Sequence, residues 1–273
     1  MSVDMRSEVR HRYAQTAGMD VKGADCGCSS GCCTTASAGA GADPRGYTDQ
    51  QLTAIPAESD MGLGCGNPTA LGSIQPGETV VDLGSGGGID CFLAAKKVGA
   101  AGKVIGVDMT PEMIDRARAA AQRGGYANVE FRLGEIESLP VADSSVDVII
   151  SNCVINLSTE KPRVFREAAR VLKPGGRLMI SDIMLRENLP ERLRSNAALF
   201  AGCVAGAVLE DDYLAMMRDA GLREVAVQRE QEAAHMLGPE EAVSLRSQAP
   251  DLSAEEVAQI GRALVSVQVT ARK

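Results

Sequence analysis

A glycine-rich turn, DLGSGGG at residues 82–88, joins a short apolar segment to a segment with helical spacing. The apolar segment ETVVDL predicts a buried strand at 78–83, and IDCFLAAKKV predicts a helix at 89–98. Glycines at such a junction permit a tight turn and let a ligand approach the backbone at the helix N-terminus. We therefore expect a strand, a turn and a helix that together bind a ligand at the turn.

Beyond the turn, strand-like and helix-like segments alternate. KVIGVD, NVEFRL, SVDVIIS and GGRLMISDI predict strands, and helices are predicted at 111–125 and 161–172. The first of these helices is expected to open with Thr110 as its cap and Pro111 in its first turn, and to close at Gly124. Nearly continuous Val, Ile and Leu indicates strands buried on both faces. The sequence thus predicts an α/β, Rossmann-like, mostly parallel sheet with helices on both faces.

Three regions are expected along the 273 residues. Residues 1–60 hold a helix and a Cys-rich segment, VKGADCGCSSGCCTTASAGAGA, whose small residues bury little by themselves. Residues 61–220 form the α/β domain that carries the glycine turn. Residues 221–273 contain the candidate strands REVAVQ and LVSVQVTAR, which complete or extend the sheet.

Charge and hydropathy disfavour several classes of partner. Lys and Arg total 28 against 36 acidic residues, a net charge of −8, so we expect no nucleic acid or anionic membrane partner. The longest apolar run, at 197–209, is shorter than the roughly 18 to 20 residues of a membrane span. The N-terminal MSVDMRSEVRHR has no secretion signal, which predicts a cytoplasmic, reducing setting. There, the eight cysteines are expected to be ligands or reactive thiols.

Residues near the turn identify the ligand. A dinucleotide fingerprint requires Gly or Ala where this chain has Ile89, which argues against NAD. Asp82 precedes the glycines and suits a ligand that carries an ammonium and a sulfonium. Asp108 ends the next strand, where an acid can accept hydrogen bonds from both ribose hydroxyls. The predicted cofactor is S-adenosylmethionine.

Other cofactor contacts are predicted at the ends of later strands. Met109 is placed to pack on the adenine, and the GEIE segment at 134–137 to bound its far side. The complete set of predicted cofactor residues is Asp82, Gly84, Ser85, Gly86, Asp108, Met109, Glu135, Ile136, Glu137 and Asn152.

Three cysteines are candidates for the methyl acceptor site, which must lie at the carboxyl ends of strands one, four and five. Cys153 ends strand four in SNCVINL, Cys203 lies in the predicted apolar helix ALFAGCVAGAVL, and Cys65 lies between two glycines. Their spacing is not that of a zinc knuckle and leaves their convergence open. Cys91 lies within a helix with no polar setting and is expected to pack as a small hydrophobic residue.

Three convergent thiolates would form a site for a soft centre. Trivalent arsenic binds three thiolates in a pyramid, and its lone pair can attack a methyl sulfonium without a general base. The two histidines, His11 and His235, are accordingly expected to be surface residues.

Several motifs together resemble the arsenite methyltransferase family, a class I S-adenosylmethionine-dependent family. They are VVDLGSGGGIDC, VIGVDMTPEM, VIISNCVINL followed by VLKPGG, and GCCTT at 31–35. SNCVINL is the most distinctive, because class I methyltransferases in general lack this thiol-bearing strand end. The resemblance covers residues 31–220 and implies a methyltransferase domain at 61–220.

The resemblance also implies roles for individual residues. It assigns Cys65, Cys153 and Cys203 to arsenic binding, and Cys32 to a catalytic thiol or disulfide relay that an external thiol such as glutathione or thioredoxin recycles. Cys26 and Cys28 add a C-x-C motif to the Cys32 and Cys33 pair, so these four thiols form either a relay or a soft-metal chelating tail.

Two other functions are compatible with the sequence. A class I methyltransferase that acts on carbon or oxygen of a small metabolite would share the glycine turn but would leave the cysteines unused. A non-catalytic metalloid-binding protein would use the cysteines without turnover, and would not depend on the cofactor.

Overall fold

The computed structural model describes residues 4–18, 43, 45–72, 74–232 and 252–273. The predictions for Cys26, Cys28, Cys32, Cys33 and His235 therefore lie outside the described residues.

The described residues form one seven-stranded sheet in the order β3-β2-β1-β4-β5-β7-β6. Strands β1 to β5 are parallel, and β7 runs antiparallel to both β5 and β6. The strand order changes direction between β1 and β4. Parallel α/β sheets bind ligands at such a switch point, beyond the carboxyl ends of the strands. The predicted Rossmann-like fold is confirmed. The strands are β1 (Thr79–Leu83), β2 (Lys103–Asp108), β3 (Val129–Leu133), β4 (Val146–Asn152), β5 (Leu172–Leu185), β6 (Arg223–Glu232) and β7 (Leu264–Arg272).

Helices cover both faces of the sheet. Val80 belongs to an apolar cluster with Phe92 and Ile114 on one face, whereas the adjacent Val81 belongs to a cluster with Phe165 and Tyr213 on the other. Burial of one such large apolar side chain stabilises the fold by about 1.5 to 3 kcal/mol. The helices are α1 (Met5–Ala17), α2 (Asp49–Thr53), α3 (Ile89–Val98), α4 (Pro111–Gly124), α5 (Lys161–Val171), α6 (Glu191–Arg194), α7 (Ala197–Ala201), α8 (Glu210–Asp219) and α9 (Ala254–Ala263).

The ends of α4 differ slightly from the prediction. Thr110 occupies the N-cap position, but its side chain makes no capping hydrogen bond to the helix. Gly124 is the last helical residue, and the left-handed residue that ends the helix is Gly125, with a φ of 68°. A glycine at the end of this helix was expected, and either Gly124 or Gly125 could provide it, because both tolerate a positive φ.

The apolar helix predicted around Cys203 is wrong. Helix α7 ends at Ala201, and Cys203 lies in the following turn with a φ of 62°. The amide of Val204 bonds to the carbonyl of Leu199 at 2.9 Å, which closes the helix end. Glycines at 202 and 206 weaken helix propagation through this stretch, despite its apolar composition.

Helix α1 lies above the carboxyl edge of the sheet. Val9 of α1 is 1% exposed and belongs to an apolar cluster that also contains Cys65 and Phe200. At the helix end, the guanidinium of Arg116 donates a 3.0 Å hydrogen bond to the carbonyl of Ala17. None of the helices in the described ranges is both long and apolar enough to cross a membrane.

Candidate active site

The glycine turn between β1 and α3 has a backbone that other residues rarely adopt. The φ angles of Gly84, Gly86 and Gly88 are 66°, 50° and 96°, all in the left-handed region. A Cβ at Gly84 would overlap the side chain of Val154, whereas a Cβ at Gly86 would meet nothing within 4 Å. Gly86 therefore faces open space, in which a ligand can approach the backbone.

Asp108, at the end of β2, faces this turn. Its Oδ2 accepts a 2.9 Å hydrogen bond from the amide of Gly86, and its Oδ1 accepts one of 2.9 Å from the amide of Thr110. Burial raises the pKa of Asp108, and these hydrogen bonds oppose the rise. Each carboxylate oxygen retains a second lone pair for a ligand hydroxyl.

Asp82, in β1, is 2% exposed. Burial raises the pKa of Asp82 well above its usual range, and the nearby carboxyl of Asp90 raises it further. The thiol of Cys91 donates a hydrogen bond to Asp82 Oδ2 at 3.2 Å. Cys91 is buried in an apolar cluster, as expected of a small hydrophobic residue. The expected absence of polar groups around it is wrong, because the carboxyl of Asp82 lies beside the thiol.

A cleft at the carboxyl ends of β1, β2 and β4 brings most of the predicted cofactor residues together. Cys153 lines the same cleft. Cys65 and Cys203 do not line it, but both contact Cys153. The predicted cofactor residues that line it are Asp82, Gly84, Ser85, Gly86, Asp108, Met109, Ile136, Glu137 and Asn152.

Glu135 is the exception among the predicted cofactor residues, since it does not line the cleft. Its carboxylate pairs with Arg6 at 2.9 Å and with Arg10 at 3.4 Å, both on α1. These ion pairs connect α1 to the carboxyl edge of the sheet. The position of Glu135 does not support the predicted cofactor contact.

Helix α1 supplies cleft residues that the sequence analysis missed. Arg6, Val9 and Tyr13 line the cleft from above. Their spacing of three and four residues places them on one face of a helix, a signal that was available in the sequence. No pattern in the sequence indicated that this face of α1 contacts the cleft beside the glycine turn.

The cleft fits S-adenosylmethionine on two observations. The hydroxyl of Ser85 is buried without a hydrogen-bond partner among the described residues and lies in the cleft lining. Asp82 and Asp108 face the same space, and burial raises the pKa of both carboxyls. A ligand with hydroxyl groups and positive charge would satisfy the hydroxyl and stabilise the carboxylates.

The structure joins Cys65 and Cys153 in a disulfide, with their Cα atoms 5.8 Å apart. This pairing departs from the expectation that the cysteines are ligands or reactive thiols, which rested on a predicted reducing setting. It joins two residues that are 88 positions apart in sequence. A carboxylate oxygen of Asp182 lies within 4.8 Å of both sulfur atoms. In this state the pair is oxidised, so two electrons are needed to release the two thiols.

Cys203 adjoins the disulfide. Its thiol donates a hydrogen bond to the carbonyl of Cys153 at 3.0 Å, and its sulfur is hydrogen-bonded to the Tyr13 hydroxyl. Burial raises the pKa of Cys203 to about 12, Asp182 raises it as well, and the Tyr13 hydrogen bond opposes the rise. Cys153 and Cys203 both have positive φ angles, of 61° and 62°. Such strain in residues other than glycine concentrates at functional sites.

Two buried titratable residues, Asp182 and Lys161, lie near the cysteines. Asp182 accepts hydrogen bonds from Asn156 Nδ2 at 2.8 Å and from the Tyr213 hydroxyl at 3.0 Å, and burial raises its pKa to about 7. Burial lowers the pKa of Lys161 to about 8, although Asp182 favours its charged form. Neither residue could be identified from the sequence, because no pattern in it shows that Asp182 and Lys161 are buried together.

Comparisons with known proteins agree with this geometry. A family model described as a methyltransferase domain matches residues 74–221. The arsenite methyltransferase of Halobacterium salinarum is 44% identical over 275 residues, which cover 99% of this chain and 67% of that protein. The arsenite methyltransferase of Aquipseudomonas alcaligenes is 47% identical over 175 residues, which cover 61% of this chain and 49% of that protein.

A solved structure extends the match to three dimensions. The crystal structure of an arsenic(III) S-adenosylmethionine methyltransferase from Chlamydomonas reinhardtii is 34% identical, with a TM-score of 0.63, and covers 83% of this chain and 71% of that one. The chain spans about two thirds and about half of the length of its two curated relatives. On these matches, it belongs to the arsenite methyltransferase family of class I, S-adenosylmethionine-dependent methyltransferases.

Proposed function

We propose that this protein methylates trivalent arsenic, with S-adenosylmethionine as the methyl donor. The observation that carries the proposal is that Cys153 lines the cleft that Asp82 and Asp108 also line, and that Cys65 and Cys203 both contact Cys153. A cofactor cleft and a cluster of soft ligands thus share one sheet edge. A methyltransferase for a small metabolite would have no use for this cluster.

Three residues of the cleft bind different parts of the cofactor. Asp82 stabilises the positively charged amino-acid end, Asp108 accepts hydrogen bonds from the ribose, and Met109 packs on the adenine. When bound, S-adenosylmethionine supplies a methyl group on a positively charged sulfur that a lone pair can displace. Helix α1 covers the cleft and excludes water from it.

The cysteines bind the arsenic. Cys65, Cys153 and Cys203 each replace one hydroxyl of arsenite, and each exchange forms an As–S bond and releases one water molecule. Three thiolates leave the lone pair of arsenic free as the nucleophile. No protein base is needed, which agrees with the exposed position of His11.

The oxidised Cys65–Cys153 pair requires a reductant before arsenic can bind. Two external thiols reduce the disulfide, giving two protein thiols and one new disulfide. Glutathione or thioredoxin, in a cytoplasmic setting, is the proposed source. Cys32 is the proposed relay between this reductant and the site, and a chelating role for the four N-terminal thiols is its alternative.

Release of S-adenosylhomocysteine by the reduced protein tests the proposed function. We expect release only when arsenite is present, and loss of release in Cys153→Ser. Arsenite binding without release would support a metalloid-binding protein. Release with a small metabolite, unaffected by Cys153→Ser, would support the alternative methyltransferase.

A further inference from the structure

The side-chain amide of Asn152 holds the backbone on either side of Cys65. Its Oδ1 accepts a 3.0 Å hydrogen bond from the amide of Cys65, and its Nδ2 donates one of 2.7 Å to the carbonyl of Gly66. The amide therefore pairs with one donor and one acceptor of a two-residue segment. A Cβ at Gly64 would lie 2.8 Å from Asn152 Nδ2, so the segment approaches the amide closely.

Two buried residues fix the orientation of this amide. Asn152 Nδ2 also lies 3.1 Å from Asp90 Oδ2 and 3.0 Å from the hydroxyl of Tyr47. That hydroxyl donates a 2.8 Å hydrogen bond to Asp90 Oδ1. Because a carboxylate only accepts, it holds the NH₂ end of the amide on its own side and leaves the oxygen for Cys65. Tyr47 and Asp90 are each 2% exposed, which restricts competition from water.

The position of Asn152 connects the two thiols of the pair. Asn152 is covalently attached to Cys153 at the end of β4, and it is hydrogen-bonded to the segment that carries Cys65. One side chain thus determines where the Cys65 backbone lies relative to the Cys153 backbone. Cys65 comes from a loop before β1, so it depends on such contacts for its position.

We infer that Asn152, oriented by Tyr47 and Asp90, is a positioning residue of the arsenic site that sets the spacing of Cys65 and Cys153. This inference rests on the proposed function and gives Asn152 a role beyond the predicted cofactor contact. Preorganised ligands bind more tightly, because less freedom is lost on binding. Disruption of the chain from Tyr47 to Asn152 should therefore weaken arsenic binding even where the cofactor cleft is unchanged.

Binding of phenylarsine oxide, a trivalent arsenical that takes two thiols, tests the inference on the reduced full-length chain. Cys26, Cys28, Cys32 and Cys33 are replaced by serine in every protein compared, because these four thiols would compete for the arsenical. Tyr47 does not line the cleft, so Tyr47→Phe removes the hydroxyl without a direct effect on the cofactor. We expect its affinity for phenylarsine oxide to fall by about three- to tenfold, the typical net effect of losing one hydrogen bond. S-adenosylmethionine affinity should fall less than arsenical affinity, since Tyr47 reaches the cleft only through Asp90 and Asn152. Asn152→Ala should weaken arsenical binding further.

The matched control is Tyr126→Phe, because Tyr126 packs against Phe92 and does not line the cleft. It should bind both ligands as the wild type does. The far-UV circular dichroism spectrum and the urea midpoint of each variant report its folding independently of either ligand. Slower re-formation of the Cys65–Cys153 disulfide on mild oxidation is a second expected sign of misplaced thiols.

Wild-type arsenical affinity in both Tyr47→Phe and Asn152→Ala would overturn the inference. A loss confined to cofactor binding in Asn152→Ala would overturn it as well, and would leave Asn152 as a cofactor residue. Failure of the wild-type protein to bind the arsenical would instead contradict the proposed function.

Discussion

Buried carboxyl groups dominate the chemistry of single residues around the cleft. Asp82, Asp90 and Asp108 lie near one another, and burial raises the pKa of each. A positively charged ligand would favour their ionised forms. This explains why a cleft of this kind selects a sulfonium cofactor rather than a pyrophosphate.

Asp108→Ala should weaken S-adenosylmethionine binding by roughly tenfold to a hundredfold, the effect of losing about 1.5 to 3 kcal/mol of hydrogen bonding to a charged group. Asp108→Asn should weaken it less, because one oxygen remains to hold the amide of Gly86 or Thr110. Calorimetric titration measures both. Unchanged affinity in Asp108→Ala would contradict the role assigned to this acid.

The cysteine variants should divide into two groups. Cys153→Ser and Cys203→Ser should each abolish most arsenite turnover, because each loses a bond that orients the arsenic lone pair, and orientation is worth several kcal/mol. Cys91→Ser should retain turnover, since a serine hydroxyl can still donate to Asp82. Methylation rates of the three reduced variants provide the comparison. Wild-type rates in Cys153→Ser or Cys203→Ser would refute the thiolate site.

Asp182 should make stability depend on pH. Burial raises its pKa from 3.8 to about 7, so between these values the native state keeps a proton that the unfolded state has released. The unfolded state then binds fewer protons, and the free energy of unfolding falls as pH rises through this window. Asp182→Asn should flatten that slope in urea unfolding between pH 4 and 7. An identical slope would show that Asp182 does not titrate in this range.

Individual residues were predictable where a strand end fixed their place. Asp82 and Asp108 lie at the carboxyl ends of β1 and β2, Cys153 directly follows β4, and all three line the cleft. The disulfide of Cys65 and the hydrogen bond from Tyr13 to Cys203 were not predictable. Both join segments distant in sequence, and no periodicity encodes such contacts.

At the scale of elements, the strands and main helices lie within a few residues of their predicted positions, since their apolar patterns match their burial. The stretch around Cys203 was misjudged, because apolar content alone does not distinguish a helix from a buried turn. The charged segment that forms α1 was recognisable as a helix. Its docking over the cleft depends on ion pairs with Glu135 and Glu137 that only the fold brings near.

Docking of α1 should contribute to cofactor retention. Arg6→Glu places an acid where Arg6 now pairs with Glu135 at 2.9 Å and with Glu137 at 3.7 Å. These pairs are partly exposed, so we expect a loss of up to about 1 kcal/mol, or about fivefold in S-adenosylmethionine affinity. Gln15→Glu adds an acid on the exposed face of α1 and should bind normally. Equal affinity in the two variants would show that α1 does not retain the cofactor.

At the scale of the whole molecule, the fold gathers a cofactor cleft and three cysteines from separate segments at one edge of the sheet. β1 and β2 supply the two acids, the end of β4 supplies Cys153, and loops supply Cys65 and Cys203. The parallel topology made the edge itself predictable. The assembly of the cysteines there was open from the sequence, because two of them lie in irregular segments whose paths tertiary packing determines.

Speciation of arsenic after reaction is the most direct measurement of the proposed activity. The purified, reduced protein is incubated with arsenite, glutathione and S-adenosylmethionine, and the arsenic species are separated by chromatography. The account predicts methylated arsenic that forms only with the cofactor and is absent with Cys153→Ser. Arsenite that is bound by the protein but recovered entirely unmethylated would contradict the account.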